Sequence, residues 1–182
     1  MPKEWIDVAD TAVKIGLGSL ITGIFAYLGT NLSGRSAKDK FMLEHKTKLV
    51  EQVAENIEEY FAAWNAYIAK IAGITKHRQN KGTEGNGLND VQKEAISERD
   101  QMLVKSWQKR GTAISRLRLM KADVTTTALL EAAILESELR NKIVFEKETP
   151  LHDDVLAYRT KVNDAQKLVH ESLADFYETF SK

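Results

Sequence analysis

The chain has 182 residues, which is enough for one compact domain and one additional element. Its 26 basic and 26 acidic residues balance, so it lacks the basic surplus that sequence-independent binding of nucleic acid requires, and we expect no nucleic-acid partner. The absence of cysteine excludes disulfides, thiolate nucleophiles and cysteine-ligated metal centres.

An apolar run without any charged residue occupies positions 15–32, and Ala12 and Val13 extend it toward the N-terminus. As a helix the run is ~27 Å long, close to the ~30 Å thickness of a hydrocarbon core. The sequence therefore predicts an N-terminal segment, residues 1–34, that contains one transmembrane helix at about residues 12–32.

The apolar run has other interpretations. A cleaved signal peptide is not expected, because the start is acidic (Glu4, Asp7 and Asp10) and no small-residue cleavage site follows. Two alternatives stay open: a helix buried in the core of a soluble protein, and a glycine-rich segment that oligomerises into a pore.

Basic residues near the apolar run predict its orientation. Only Lys3 and Lys14 precede the run, whereas several basic residues follow it within a short distance. The positive-inside rule then places the N-terminus outside and the larger C-terminal part in the cytoplasm, at the inner (plasma) membrane. These membrane-proximal residues can also contact anionic headgroups; they are Arg35, Lys38, Lys40, Lys46 and Lys48.

Small residues recur along the predicted span at intervals that place them on one side of a helix. Such rows let helix backbones approach closely in lipid, so they predict contact with another copy or with a different membrane protein. The predicted packing face consists of Gly18, Ser19, Thr22, Gly23, Ala26 and Thr30.

Residues 35–182 show helical spacing of apolar residues in four stretches and no strand signal. We therefore predict an all-α fold, with an antiparallel bundle of about four helices and coiled-coil-like packing. Expected helix starts are Asn89 or Asp90, Asp123 or a following threonine, and Thr149 as N-cap with Pro150 in the first turn. The predicted inward positions include Phe41, Val53, Ile57, Phe61, Trp64, Leu103, Leu117, Leu129, Leu130, Ile134, Val155, Val162 and Val169.

The stretch 73–90 is polar and contains four glycines. It carries too little apolar surface to offset the entropy lost on ordering, so the sequence predicts a mobile loop that follows a helix ending near Gly73.

No catalytic, metal-binding or cofactor-binding constellation is predicted. The four histidines lie far apart, and His152–Asp153 alone is too short a motif to indicate a metal-dependent phosphohydrolase. Glu131, Glu136 and Glu138 are expected on a solvated helix face. Phosphate-binding and dinucleotide-binding glycine motifs are absent from the sequence.

Two rows of like charge stand out in the predicted bundle. An acidic row contains Glu51, Glu55, Glu58 and Glu59. A basic row, a possible partner-binding surface, contains Lys105, Lys109, Arg110, Arg116, Arg118 and Lys121. The two rows are interpreted as facing each other between antiparallel helices or as ordinary solvated faces. Alternatively, the basic row contacts anionic lipid or a nucleic-acid backbone.

These features together predict a membrane-anchored, non-enzymatic helical module that recruits, senses or scaffolds an unidentified protein at the inner membrane. The alternatives are a membrane-active effector whose glycine-rich span forms a pore, and a soluble helical protein that buries the apolar run.

Overall fold

The computed structural model describes residues 37–84 and 87–181, and over these ranges the chain contains four α-helices and no strand. This confirms the predicted all-α fold with a helical bundle. One π-helical turn, Asn141–Phe145, continues directly from the third helix. The helices are α1 (Ala37–Asn80), α2 (Asp90–Leu119), α3 (Asp123–Arg140) and α4 (His152–Ser181).

The chain divides into two units, residues 1–51 with 180–182 and residues Gln52–Thr179. The second unit holds the bundle and the contacts described below. Of the first unit, residues 37–51 belong to α1.

Side-chain contacts show that α1 and α4 are antiparallel. Glu58 lies opposite His170, and Thr75, further along α1, lies opposite His152 at the start of α4. Residue numbers rise along one helix as they fall along the other, which is the register of an antiparallel pair.

The helices α1 and α2 are also antiparallel, and so are α2 and α3. The defining pairs are Glu59–Lys109 and Arg78–Gln92 for α1 and α2, and Asp100–Arg140 and Trp107–Glu136 for α2 and α3. Consecutive helices therefore alternate in direction, as expected of a bundle with short connections.

Two of the predicted helix starts are confirmed, and one is wrong. Asn89 caps α2 in a reciprocal capping box with Gln92, and α3 begins at Asp123. The helix α4 begins at His152, because its first backbone bond runs from the Val155 amide to the Leu151 carbonyl. Thr149 and Pro150 precede this helix because the chain is still closing the turn after the π-helix, where the Glu148 amide bonds the Lys142 carbonyl.

Large side chains of α1 dominate the core, and helical spacing predicted most of them. Three predicted inward positions are wrong: Phe41, Leu130 and Ile134 are exposed, to 66%, 38% and 62%. In α3 the inward side is taken by a different stripe. That stripe is Thr125, Ala128, Leu129, Ala132, Glu136 and Leu139.

The helix α1 continues through Gly73 to Asn80, so the predicted helix end was wrong and the connection to α2 starts at Lys81. Its buried side continues with Thr75 and Arg78, which keeps the last two turns packed. The Arg78 guanidinium donates to the carbonyls of Thr83, Glu84 and Gly87 at 2.9, 3.2 and 3.0 Å, and so holds the connection against the helix end. The mobility predicted for this connection stays a prediction.

None of the helices in the described ranges combines the length and apolar character needed to cross a bilayer. The predicted span at residues 12–32 lies outside the described residues.

Truncation of a core leucine tests the burial pattern along α2. Leu103 is fully buried and Leu119 is 85% exposed on the same helix. We expect Leu103→Ala to lower the free energy of unfolding by about 2–5 kcal/mol, because it removes buried contacts and leaves a cavity. The matched control Leu119→Ala should change it by less than about 0.5 kcal/mol in the same denaturant titration. Equal effects of the two substitutions would contradict the packing described here.

Candidate functional site

The carboxylate of Glu136 in α3 is buried, with 1% of the residue exposed. One of its oxygens accepts hydrogen bonds from the Tyr60 hydroxyl at 2.8 Å and from Arg110 at 2.7 Å. The other accepts from the Trp107 indole nitrogen at 2.8 Å. We call Tyr60, Trp107, Arg110 and Glu136 the Glu136 cluster; it joins α1, α2 and α3.

A second ion pair lies beside the Glu136 cluster. Arg140, one turn after Glu136, donates to both carboxylate oxygens of Asp100 at 2.5 and 2.9 Å. Two guanidinium groups lie over the Trp107 ring, with Arg140 at 4.9 Å and Arg110 at 5.5 Å from its centroid. Cation–π attraction of this kind adds to the ion pairs where water is largely excluded.

The titration behaviour of the neighbouring phenols follows from burial. Burial, followed by the negative charge of Glu136, raises the pKa of Tyr60. Burial, followed by the charge of Asp100, raises the pKa of Tyr67. The hydrogen bond to Asp100 raises the pKa of Arg140 further. These phenols therefore stay protonated and the guanidinium stays charged across the ordinary pH range.

In the Glu136 cluster, the carboxylate of Glu136 accepts hydrogen bonds from three donors on two other helices. A carboxylate accepts about four hydrogen bonds, so this one is nearly saturated by side chains of the chain itself. The arrangement fits a structural role that fixes the register of three helices.

The prediction that Glu136 lies on a solvated face was therefore wrong. Its position alone contains the signal, because Glu136 continues the stripe of Leu129, Ala132 and Leu139 at helical spacing. Glu131 and Glu138, by contrast, are exposed as predicted.

A second carboxyl group is partly buried between α1 and α4. The Oε1 atom of Glu58 lies 3.1 Å from Nε2 of His170, although the two are not aligned as a hydrogen bond and neither has another partner among the described residues. Burial raises the pKa of Glu58 from 4.5 to about 7 and lowers the pKa of His170. Each group therefore favours its neutral form.

The predicted basic row does not form one surface. Arg110 belongs to the Glu136 cluster, and Lys109 pairs with Glu59 at 2.9 Å. This pair is the one contact between the acidic and basic rows along the described helices. The remaining members are exposed or half-buried: Lys105, Arg116, Arg118 and Lys121.

The other predicted site residues fall in or near the N-terminal part of the chain. The small-residue packing face at positions 18–30 and Arg35 lie outside the described residues. Lys38 belongs to α1, Lys40 is half-buried, and Lys46 and Lys48 are exposed.

The histidines are not arranged as metal ligands. His152 is buried, and its Nδ1 lies 3.1 Å from the hydroxyl of Thr75. In the part of the chain that the structure describes, no group of three or more histidine, aspartate or glutamate side chains is close enough to hold a metal ion.

Comparison with known proteins gives no relationship: no family model, no curated protein and no solved structure matches the chain.

Loss of the Glu136 charge tests the structural role of its cluster. We expect Glu136→Gln to lower the free energy of unfolding by about 2–4 kcal/mol, because Arg110 is left partly buried without its counter-ion. The exposed Glu138→Gln is the matched control on the same helix and should change it by less than about 0.5 kcal/mol. A near-neutral Glu136→Gln would show that the cluster does not stabilise the bundle.

The Glu58–His170 contact predicts a defined pH dependence. Because the pKa of Glu58 is raised from 4.5 to about 7, the folded state holds this proton more tightly, and its contribution to stability is lost as pH rises through that window. The lowered pKa of His170 acts in the opposite sense, and its contribution is lost as pH falls below 6.5.

The substitution Glu58→Gln removes the titrating carboxyl group, and with it the loss of stability as the pH rises. Between about pH 5 and about pH 8 the variant should gain about 2 kcal/mol of stability relative to the parent chain, measured by denaturant titration at each pH. Glu55→Gln, exposed one turn earlier, should follow the parent curve. A variant with the same pH profile as the parent chain would contradict the assignment.

Proposed function

We propose that the chain is a membrane-anchored, non-enzymatic module whose helical bundle recruits, senses or scaffolds a partner protein on the cytoplasmic side of the inner membrane. In this proposal residues 12–32 form a single span with the N-terminus outside. The observation that carries it is the uncharged run at 15–32, followed within sixteen residues by five basic residues.

Two ion pairs inside the bundle support a non-enzymatic role, because their charges serve one another. Glu136 pairs with Arg110, and Asp100 pairs with Arg140 through two hydrogen bonds. A general acid or base needs a free lone pair or proton directed at a substrate, and these groups direct theirs at neighbouring helices.

The bundle also exposes apolar side chains that suit binding to another protein. Val124 and Leu168 line an open groove of about 350 Å³ between α3 and α4, together with Asp123 and Glu131. Val124 is 73% exposed and Leu168 is 50% exposed. An apolar surface with nearby carboxylates fits a partner segment that carries apolar and basic residues.

Membrane anchoring is tested with the full-length chain expressed in bacterial cells. We expect the chain to stay in the membrane pellet after carbonate washing, and Ile21→Lys, at the centre of the predicted span, to move it to the supernatant. The control Leu119→Lys places the same charge on an exposed position of the bundle and should leave the chain in the pellet.

Orientation is tested with single cysteines, since the parent chain has none. Glu4→Cys should react with a membrane-impermeant maleimide in intact cells, whereas Val91→Cys should react only after lysis. Release of the parent chain by carbonate, or labelling of Val91→Cys in intact cells, would overturn the proposal.

A further inference from the structure

Between Ser97 and Ser115, one side of α2 carries no charge, although eleven of the thirty residues in this helix are charged. The uncharged positions are separated by alternating steps of four and three residues, so they share one face of the helix. All of them are exposed. They are Ser97, Gln101, Val104, Gln108, Gly111 and Ser115.

A matching uncharged row lies on α3, the next helix of the bundle. Leu130, Ile134 and Ser137 are exposed at steps of four and three. The Trp107–Glu136 and Asp100–Arg140 contacts place this row beside that of α2. Asp100 and Arg140 are charged, but they form an ion pair with each other and their side chains are largely buried.

The two rows form a single surface on neighbouring helices. We call it the uncharged face and define it by Val104, Gln108 and Gly111 of α2 with Leu130, Ile134 and Ser137 of α3. Depletion of charge distinguishes the centre of protein interfaces from the remaining surface. The glycine and serine allow a facing helix to approach closely.

We propose that the uncharged face binds the same face of a second copy, forming a parallel dimer in which α2 of each copy lies against α3 of its partner. A two-fold interface brings one patch against itself, so a charged patch would oppose like charges. The uncharged face has no such repulsion.

The flanks of the face determine which of the possible two-fold arrangements is favoured. Lys105 lies on the outer flank of α2 and Glu138 on the outer flank of α3; both are exposed and neither has an ion-pair partner among the described residues. Trp107 of α2 contacts Glu136 of α3. Lys105 is two residues before Trp107, and Glu138 is two residues after Glu136. Because the two helices are antiparallel, Lys105 and Glu138 lie at the same level along them.

A two-fold axis parallel to the helices places Lys105 of one copy next to Glu138 of its partner, at the same level and on the same edge of the interface. Opposite charges then meet at both edges of the interface. An axis perpendicular to the helices would place α2 against α2 and would separate Lys105 from Glu138 of the partner, so this contact would be lost.

The parallel arrangement also agrees with the proposed membrane anchor, although the face itself does not depend on it. Both chains would enter their bundles at the same end, as two anchors in one membrane require. The face spans about 10 Å along each helix and about 20 Å across, a footprint of about 200 Å². This is small for a stable dimer, so we expect weak association that confinement to a membrane strengthens.

Disulfide trapping tests the arrangement in the full-length chain, in the membranes that contain it. Two differently tagged copies carry Gln108→Cys and Ile134→Cys, two exposed positions that lie at the same level. We expect a disulfide between the two tags under mild oxidation. Gln108→Cys combined with Leu168→Cys, an exposed position outside the face, is the matched control and should give none.

Each outcome of the trapping experiment bears on the proposal. A disulfide between two Gln108→Cys copies in place of the mixed product overturns the parallel arrangement, and the absence of both products overturns the dimer. Should carbonate release the chain while the mixed disulfide still forms, the dimer stands and the membrane anchor fails.

Charge reversal gives an independent readout that does not depend on cysteine chemistry. Lys105→Glu and Glu138→Lys should each raise the dimer dissociation constant about fivefold in sedimentation experiments on detergent-solubilised full-length chain. The double reversal should restore it. Failure of the double variant to recover affinity would overturn the Lys105–Glu138 contact between copies.

Discussion

The fold of the bundle depends on the buried carboxylate of Glu136, which water cannot reach. Glu136 is fixed by Arg110, Tyr60 and Trp107, which come from two other helices. A buried ion pair adds little net stability compared with well-packed apolar residues, but an unmatched buried charge costs several kcal/mol. Any arrangement that moves α2 along α3 therefore leaves a charge unpaired, and one that moves α1 takes the Tyr60 hydroxyl from its acceptor. These costs select one register for α1, α2 and α3.

The aromatic side chains near this charge make the selection sharper. Trp107 donates to Glu136, and its ring also contacts the guanidinium groups of Arg110 and Arg140. Rotation of α2 would lose both the hydrogen bond to Glu136 and the cation–π contact with Arg140, which lie on α3. The burial that raises the pKa of Tyr60 also keeps this phenol protonated, so its donor is present over the ordinary pH range. The α1–α4 interface contains Glu58 and His170, whose burial favours the neutral form of both groups, and it is the pH-sensitive side of the bundle.

Sequence patterns predicted the parts of this fold that depend on local or periodic information. Asn89 was expected to cap α2, and apolar spacing located most of the core, because capping and amphipathicity are encoded within one helix. The Glu136 cluster was not predicted, because a glutamate on a helix is usually solvated and its partners are 26, 29 and 76 positions away. The end of α1 was placed too early because Gly73 resembles a stop signal, whereas tertiary contacts of Arg78 keep the helix intact to Asn80.

Because the buried charges pair within one chain, they also determine which surfaces remain for binding another protein. Arg110 and Lys109, half-buried by their partners, are removed from the basic row, so that row cannot act as one continuous surface. What α2 and α3 present instead is an uncharged strip between a basic and an acidic flank. Such a strip has little affinity on its own, since its apolar content is modest and its footprint small. Two copies held in one plane meet at a high effective concentration, and a weak, oriented contact is then sufficient to pair them.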